Sequence, residues 1–313
     1  MTVPVANLIT KSDFHRDADV EKFIDWLSNV VESLVVDFSI KNSRRVPGGV
    51  NASVVGLDSV IGQYKWAAQW NDSGRIVTSL CWNSTVSSLS RLGGNLRWAL
   101  NASSDSATFD ACCSIFEWGG ERNKKVGARP FLEDKVGAPN GLCSYLDQVR
   151  KAAELGCANI LNLKVVEEMN SMLTKVHAMA SVDGLPIYDS RVAAAIACLV
   201  EIYRHNSGLN WATIPVCLAF PAIPEDQKNN RRHVGALHSG GAVIPTPGVI
   251  RYQDPQRASR WMSASIRLGW IVEEVLSRKP NILNGQVSRM HAFEACLFMI
   301  GYDVKCLQRN LKP

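Results

Sequence analysis

The second half of this chain is patterned for α-helix almost without interruption, and that pattern restricts the possible folds more than any other feature. From residue 140 onward, apolar residues recur at spacings of three and four, which puts them on one face of a helix. Helices of this kind pack on other helices, because each has an apolar face to bury. We therefore predict a mainly α fold. The predicted helices cover residues 140–155, 164–181, 190–205, 256–278 and 287–300.

The first 139 residues are patterned less regularly. A helical segment capped by an aspartate comes first, and stretches rich in Gly and Ser separate the later helical patterns. We expect one globular unit of 313 residues, with an irregular N-terminal part at 1–139 and a helical part at 140–313. In the N-terminal part, the sequence predicts helices at 17–36, 73–100 and 104–117, a loop with room for a short strand at 41–64, and a polar connection at 121–139.

The interval 206–255 is rich in proline and glycine and predicts a long loop, a feature that is often functional in a compact domain. Residues 201–313 carry 14 Lys/Arg against 8 Asp/Glu, and much of this excess lies within 228–260. Basic surfaces bind nucleic acids by releasing condensed counterions, although a solvated basic face would have the same composition. The candidate DNA contacts are Lys228, Arg231, Arg232 and His233.

Composition restricts the compartment and the cofactors. With 46% hydrophobic residues the chain can form a sizeable core, and it has no apolar run that would span a membrane. The nine cysteines are odd in number and lack metal-site spacing, which is typical of free thiols in a reducing cytosol. His233 and His238 have no acidic or thiol partner nearby, and no phosphate-binding glycine loop or zinc-deaminase signature is present. We expect a cytoplasmic monomer that needs neither metal nor cofactor.

Lys175 and Asp189 are the two candidates for chemistry. Lys175 lies beside the apolar stripe of the predicted helix 164–181, and Asp189 directly precedes the helix at 190–205, where its side chain would cap the free N–H groups. Taken singly, each has a structural explanation, because lysines lie along core edges and aspartates cap helices. Together they suit another role: a neutral amine can attack a carbon, while a carboxylate stabilises a developing cation or orients a water.

The residues around this pair resemble a known family. "TKV" at 174–176, followed by "PIYDSRV" at 186–192, resembles the helix-hairpin-helix DNA glycosylases of the 8-oxoguanine-glycosylase fold. The resemblance covers 140–205 and implies that Lys175 is the nucleophile and Asp189 the essential aspartate. "IFEWGGERN" at 115–123 and "PIYDSRVAAAI" look like a bacterial subgroup with members that act against phages carrying modified bases.

The chain departs from the family pattern in two places. The family hairpin carries glycines that let backbone N–H groups approach a phosphate, whereas "EEMNSML" at 167–173 has none. The spacing from Lys175 to Asp189 is also shorter than in the typical eukaryotic enzymes. Contacts with the DNA backbone must therefore be made by other residues, or be absent.

A glycosylase that acts on double-stranded DNA extrudes its target base and holds it between aromatic or apolar surfaces. Trp118, Tyr188 and Trp211 are the candidates, and ordinary core packing is the alternative for each. Arg191, in the first turn after Asp189, is a candidate for a phosphate contact, with a local salt bridge as the alternative.

These observations lead to one functional expectation and several alternatives. We expect a DNA glycosylase acting on double-stranded DNA, including phage DNA with bulky modified bases such as glycosylated hydroxymethylcytosine, by the family analogy. The alternatives are a base-excision repair glycosylase with lyase activity on oxidised bases, a non-catalytic helical DNA-binding protein, and an unrelated helical enzyme in which Lys175 and Asp189 are structural.

Overall fold

Helices make up most of the described chain, which confirms the mainly α prediction. The structure is a computed structural model, and it describes residues 10–121, 123–221, 230–237 and 256–312. Within these ranges the α-helices are α1 (Lys11–His15), α2 (Ala18–Val30), α3 (Leu57–Ile61), α4 (Trp82–Asn101), α5 (Asp105–Gly119), α6 (Ala128–Val136), α7 (Gly141–Ala152), α8 (Leu173–Ala180), α9 (Ser190–Asn206), α10 (Arg257–Arg278) and α11 (Arg289–Ile300). The strands are β1 (Val35–Ile40), β2 (Val50–Val55), β3 (Ala68–Asp72) and β4 (Arg75–Ser79), and short 3₁₀ helices cover Ile160–Val165, Val216–Leu218, Asn230–Arg232, Val234–Leu237 and Val304–Asn310.

Side-chain caps explain where several helices begin. Asp17 Oδ1 accepts the N–H groups of Asp19 and Val20 at 3.0 and 3.1 Å, which starts α2. Ser104 caps α5 in the same manner. The helices α5, α7, α9, α10 and α11 are observed to within three residues of their predicted bounds at each end.

Two antiparallel hairpins correct the sequence-based prediction in the N-terminal part. The pairs are β1 with β2 and β3 with β4. The predicted helix at 17–36 ends at Val30, and its last residues instead enter β1. The predicted helix at 73–100 begins only at Trp82, because Ser73 and Gly74 have φ angles of 52° and 90° and form a tight hairpin turn. In both places, pairing between strands outweighs an apolar spacing that predicted a helix.

Three further predictions need correction. The region 41–64, predicted as a loop with room for a short strand, contains the strand β2 but also the helix α3, and the polar connection predicted at 121–139 contains α6. The predicted helix at 164–181 forms only from Leu173, because Asn170 Oδ1 accepts the N–H groups of Met172 and Leu173 at 2.9 and 3.0 Å. A side chain that caps the backbone in this way stops the helix from extending toward its N-terminus.

The C-terminal helices pack closely on one another. α9 packs on α11, and α11 packs in turn on α10 and α3. Residues 192–203 of α9 are buried without a break, so this helix runs through the core. No helix in the described part of the chain is both long enough and apolar enough to cross a membrane.

Part of the predicted long loop is anchored to the core by one arginine. Arg267 of α10 donates hydrogen bonds to the carbonyl oxygens of Val216, Cys217 and Ala219 at 2.7 to 3.0 Å. Of the predicted loop at 206–255, residues 222–229 and 238–255 lie outside the described residues.

Candidate active site

A cavity of about 970 Å³ lies where the C-terminus of α5, the start of α8, the start of α9 and one face of α11 meet. Four of the residues predicted as functional line it: Trp118, Lys175, Asp189 and Arg191. The structure therefore brings together side chains that lie on three different helices or at their ends.

One hydrogen bond explains why Lys175 and Asp189 share this cavity. The side-chain oxygen of Thr174 accepts the backbone N–H of Tyr188 at 3.0 Å, in a buried position. Thr174 precedes Lys175 and Tyr188 precedes Asp189, so this bond holds the start of α8 against the segment that leads into α9. The threonine of "TKV" thus has a structural role that its sequence position did not reveal.

Lys175 is an almost fully enclosed amine. Its side chain is buried, and Nζ donates a hydrogen bond to the carbonyl oxygen of Ser171 at 2.6 Å. Burial lowers the pKa of Lys175 below its ordinary value, and the negative charge of Asp189 only partly opposes this effect. The amine therefore loses its proton more readily than a lysine in water.

Gly119 makes the path of the lysine side chain possible. A β-carbon at Gly119 would lie 2.9 Å from Lys175 Cδ and 3.1 Å from the sulfur of Met172, both too close for ordinary contact. The adjacent Gly120 ends α5 with a φ of 82°, in the left-handed region that favours glycine. Gly119 thus leaves room for the lysine side chain in the cavity wall, and Gly120 leaves room for the side chain of Arg45.

Asp189 caps α9, as predicted, and lies at the cavity surface. Its Oδ1 accepts the N–H groups of Arg191 and Val192 at 2.8 and 3.2 Å. Its Oδ2 lies 3.8 Å from the guanidinium of Arg191, which is the local ion pair considered as the alternative for that arginine. One carboxylate oxygen is thus held by the helix, while the other is directed to charged groups at the cavity.

Glu294 is a third ionisable group of the cavity, and the sequence analysis missed it. It lies on α11, where its Oε2 accepts the N–H of Ile187 at 3.2 Å and lies 3.4 Å from Nδ1 of His291. Burial raises the pKa of Glu294 above its ordinary value, although the contact with His291 opposes the shift. A glutamate inside the apolar run "AFEACLFMI" (292–300) was the signal that could have identified it.

Aromatic side chains form much of the remaining wall. Trp118 is buried, its backbone oxygen accepts the indole N–H of Trp66 at 3.3 Å, and Trp66, Trp70 and Tyr64 also line the cavity. Flat apolar surfaces beside a few polar groups suit the binding of a planar ring.

Two predicted substrate contacts are not at the cavity. Tyr188 is only 1% exposed, its hydroxyl donates to the carbonyl oxygen of Pro221 at 2.8 Å, and its ring packs near Phe220. Trp211 packs on Tyr203 with ring centroids 6.0 Å apart, and it does not line the cavity. Both aromatic rings contribute to packing instead: Tyr188 lies in the core, and Trp211 is partly buried against it.

The fold brings two of the predicted DNA contacts near each other. Arg232 lies close enough to Arg191 for their charges to interact, and Arg231 beside it is exposed. His233 Nδ1 accepts the backbone N–H of Gly235 at 3.1 Å, which orders its own turn. Lys228 lies outside the described residues.

In the described ranges, no group of three His, Cys, Asp or Glu side chains is arranged to hold a metal ion, and all nine cysteines are free. No family model, curated protein or solved structure matches this chain. A functional assignment therefore depends on the chemistry of the cavity.

Proposed function

We propose that this protein is a DNA glycosylase of the 8-oxoguanine-glycosylase fold, which extrudes a modified base from double-stranded DNA and cleaves its N-glycosidic bond. The observation that carries the proposal is that Lys175 and Asp189 line one cavity, with the amine desolvated and the carboxylate on a helix N-terminus. A desolvated amine beside a fixed carboxylate suits the departure of a base from a sugar.

The reaction divides between these groups. As the bond from C1′ to the base nitrogen breaks, its electron pair leaves with the base and positive charge develops on the sugar. The carboxylate of Asp189 stabilises that charge. Lys175, in its neutral form, attacks C1′ and loses one proton to solvent. The nitrogen lone pair then forms a C=N bond as the bond from C1′ to O4′ breaks, and O4′ takes up a proton, which leaves a protonated imine on the opened sugar. If a water attacks instead, the reaction is hydrolytic and Asp189 orients that water.

Glu294 suits the remaining step, protonation of the departing base. Because its pKa is raised by burial, it retains a proton to higher pH than an exposed glutamate does. Its Oε1 has no hydrogen-bond partner among the described residues, while Oε2 is held by the backbone of Ile187. A carboxylic acid that is held at one oxygen can donate a proton from its other oxygen to the nitrogen or oxygen of the base on which negative charge develops.

The size and walls of the cavity bear on the substrate. A volume of about 970 Å³ is at the upper end of the range for small-molecule sites, and it exceeds what an unmodified base needs. We propose a base that carries a bulky substituent, as in modified phage DNA. The wall supplies Trp66 and Trp118 for stacking of the base.

The test is release of free bases from phage genomic DNAs that carry different modifications, measured by mass spectrometry. The wild-type protein should release one modified base, and Asp189→Asn should reduce release by roughly 100-fold or more while the protein still binds DNA. Asp17→Asn is the matched control, because Asp17 makes the same capping contacts at α2 and does not line the cavity.

Two outcomes would contradict the proposal. Release of no base from any of the DNAs, with DNA binding intact, would identify a non-catalytic DNA-binding protein. Loss of folding in Asp189→Asn but not in Asp17→Asn would make Asp189 a structural cap only.

A further inference from the structure

Two arginines that are distant in sequence lie near each other at the start of α9, where Arg191 lines the cavity. Arg191 lies in the first turn of α9, and Arg232 lies in the 3₁₀ helix Asn230–Arg232, which packs on α9. The charges of both interact with Asp189, so the pair lies beside the carboxylate that faces the reacting sugar in the proposed reaction.

Arg191 is held rigidly. Its guanidinium carbon lies 4.2 Å from the ring centroid of Tyr302, 4.8 Å from that of Phe298 and 5.6 Å from that of Trp66. Contacts with three aromatic rings restrict the guanidinium plane and reduce the entropy lost when it binds a ligand. With 17% of the side chain exposed, the group is partly accessible from the cavity.

The charges at this position are not balanced by the described side chains. Burial and, to a smaller extent, the nearby charges of Arg191 and Arg231 lower the pKa of Arg232 to about 10, while Asp189 opposes them. Arg232 nevertheless remains a cation at neutral pH. Two guanidinium groups thus share one carboxylate, and like charges that are partly withdrawn from water repel strongly unless an anion joins them.

Hydrogen-bond donors are also in excess here. The Nε atoms of Arg191 and Arg232 and the hydroxyl of Tyr302 are buried without a hydrogen-bond partner among the described residues. Tyr302 is 7% exposed, and its electrostatic neighbours are Arg191, Asp189, Arg232 and Arg45. Because buried donors are nearly always paired in folded proteins, three unpaired ones in one cluster indicate a ligand with several acceptor oxygens.

We propose that Arg191, Arg232 and Tyr302 form a phosphate site that holds the phosphate flanking the extruded nucleotide. The inference rests on the proposed glycosylase function. A phosphodiester supplies negative charge and acceptor oxygens in the geometry that guanidinium groups match. It is also covalently attached to the sugar that Asp189 faces, so binding it here would position C1′. This site would provide the grip on the backbone that the glycine-free segment 167–173 does not offer through a hairpin.

The experiment uses a duplex that contains one tetrahydrofuran abasic-site analogue, so that the target base need not be known. Each phosphate flanking the analogue is replaced in turn by a neutral methylphosphonate, and affinities are measured at one fixed salt concentration. For the wild-type protein, one of the two replacements should weaken binding by roughly 10-fold or more, since it removes a charge-assisted contact.

Variants of the protein then identify the side chain that contacts this phosphate. Arg232→Gln should weaken binding to the ordinary duplex by a similar factor, and the same methylphosphonate should then have little further effect, because both changes remove one interaction. Arg231→Gln is the matched control: its side chain is exposed, and its methylphosphonate effect should equal that of the wild type. Arg232→Lys retains the charge and should recover part of the affinity. Melting temperatures establish that each variant is folded.

The outcomes separate this inference from the proposed function. If the methylphosphonate effect is as large in Arg232→Gln as in the wild type, the phosphate site is refuted and the glycosylase proposal stands. If the protein binds no duplex, but inorganic phosphate or a deoxynucleoside monophosphate raises the melting temperature of wild type and not of Arg232→Gln, the site takes a free phosphate and the glycosylase proposal falls. If Arg232→Gln and Arg231→Gln behave alike with every probe, no phosphate site exists here.

Discussion

His177 makes the stability of this protein strongly dependent on pH, and the effect can be worked out from its surroundings. It lies on α8, two residues after Lys175, with its ring 3% exposed and neither nitrogen hydrogen-bonded among the described residues. Burial lowers its pKa from 6.5 to about 4, so the folded protein keeps this imidazole neutral in mildly acidic solution.

The direction and the size of this effect on the free energy of unfolding follow from proton linkage. Below pH 6.5 the unfolded chain binds a proton at His177 that the folded chain does not bind until about pH 4, so the free energy of unfolding falls as the pH falls through this window. Because the pKa falls from 6.5 to about 4 on folding, the free energy of unfolding is lower than at neutral pH by about 2 kcal/mol at pH 5 and by roughly 3 kcal/mol at pH 4. A loss of this size is a large part of the 5–15 kcal/mol that stabilises a typical folded protein.

The change to test is His177→Leu, which has similar volume and no titrating group. Chemical denaturation at several pH values between 7 and 4 gives the free energy of unfolding for each protein. The variant should lose roughly 3 kcal/mol less than the wild type over this range, and at pH 7 it should be about 1 kcal/mol more stable, since two unpaired buried nitrogens are removed. His205→Leu, at an exposed position, is the control and should follow the wild type. Parallel pH curves for wild type and His177→Leu would refute the assignment of a buried neutral histidine.

The remaining predictions concern the cavity. Borohydride should trap a covalent adduct between wild-type protein and a substrate duplex; Lys175→Gln should abolish the adduct and most base release, whereas Lys164→Gln, at an exposed lysine, should not. Base release without a trappable adduct in the wild type would identify a hydrolytic reaction. Glu294→Gln should reduce base release by roughly 100-fold. In the wild type the rate should fall as the pH rises through the raised pKa of Glu294, because the protonated form is the donor, and that dependence should be absent from the glutamine variant. A pH profile unchanged by Glu294→Gln would exclude it as the proton donor.

The sequence by itself determined the helices whose signals are local. α9 begins at Asp189 because that side chain accepts the N–H groups of the first turn, and its apolar spacing continues to Tyr203. α10 was predictable from its apolar spacing, and α11 begins after Ser288, whose side chain caps it. Both signals act between residues at most four positions apart. These interactions are present in the chain whatever lies around it.

Tertiary structure decided which side chains form the cavity. The bond between Thr174 and Tyr188 brings Lys175 to Asp189, and α11 adds Glu294 from more than 100 residues further along the chain. Tyr188, adjacent to Asp189 in sequence, faces away into the core. Two neighbouring residues can therefore face different parts of the structure. Whether a side chain faces the cavity or the core depends on how helices that are distant in sequence pack on one another, and a single sequence records that packing only indirectly.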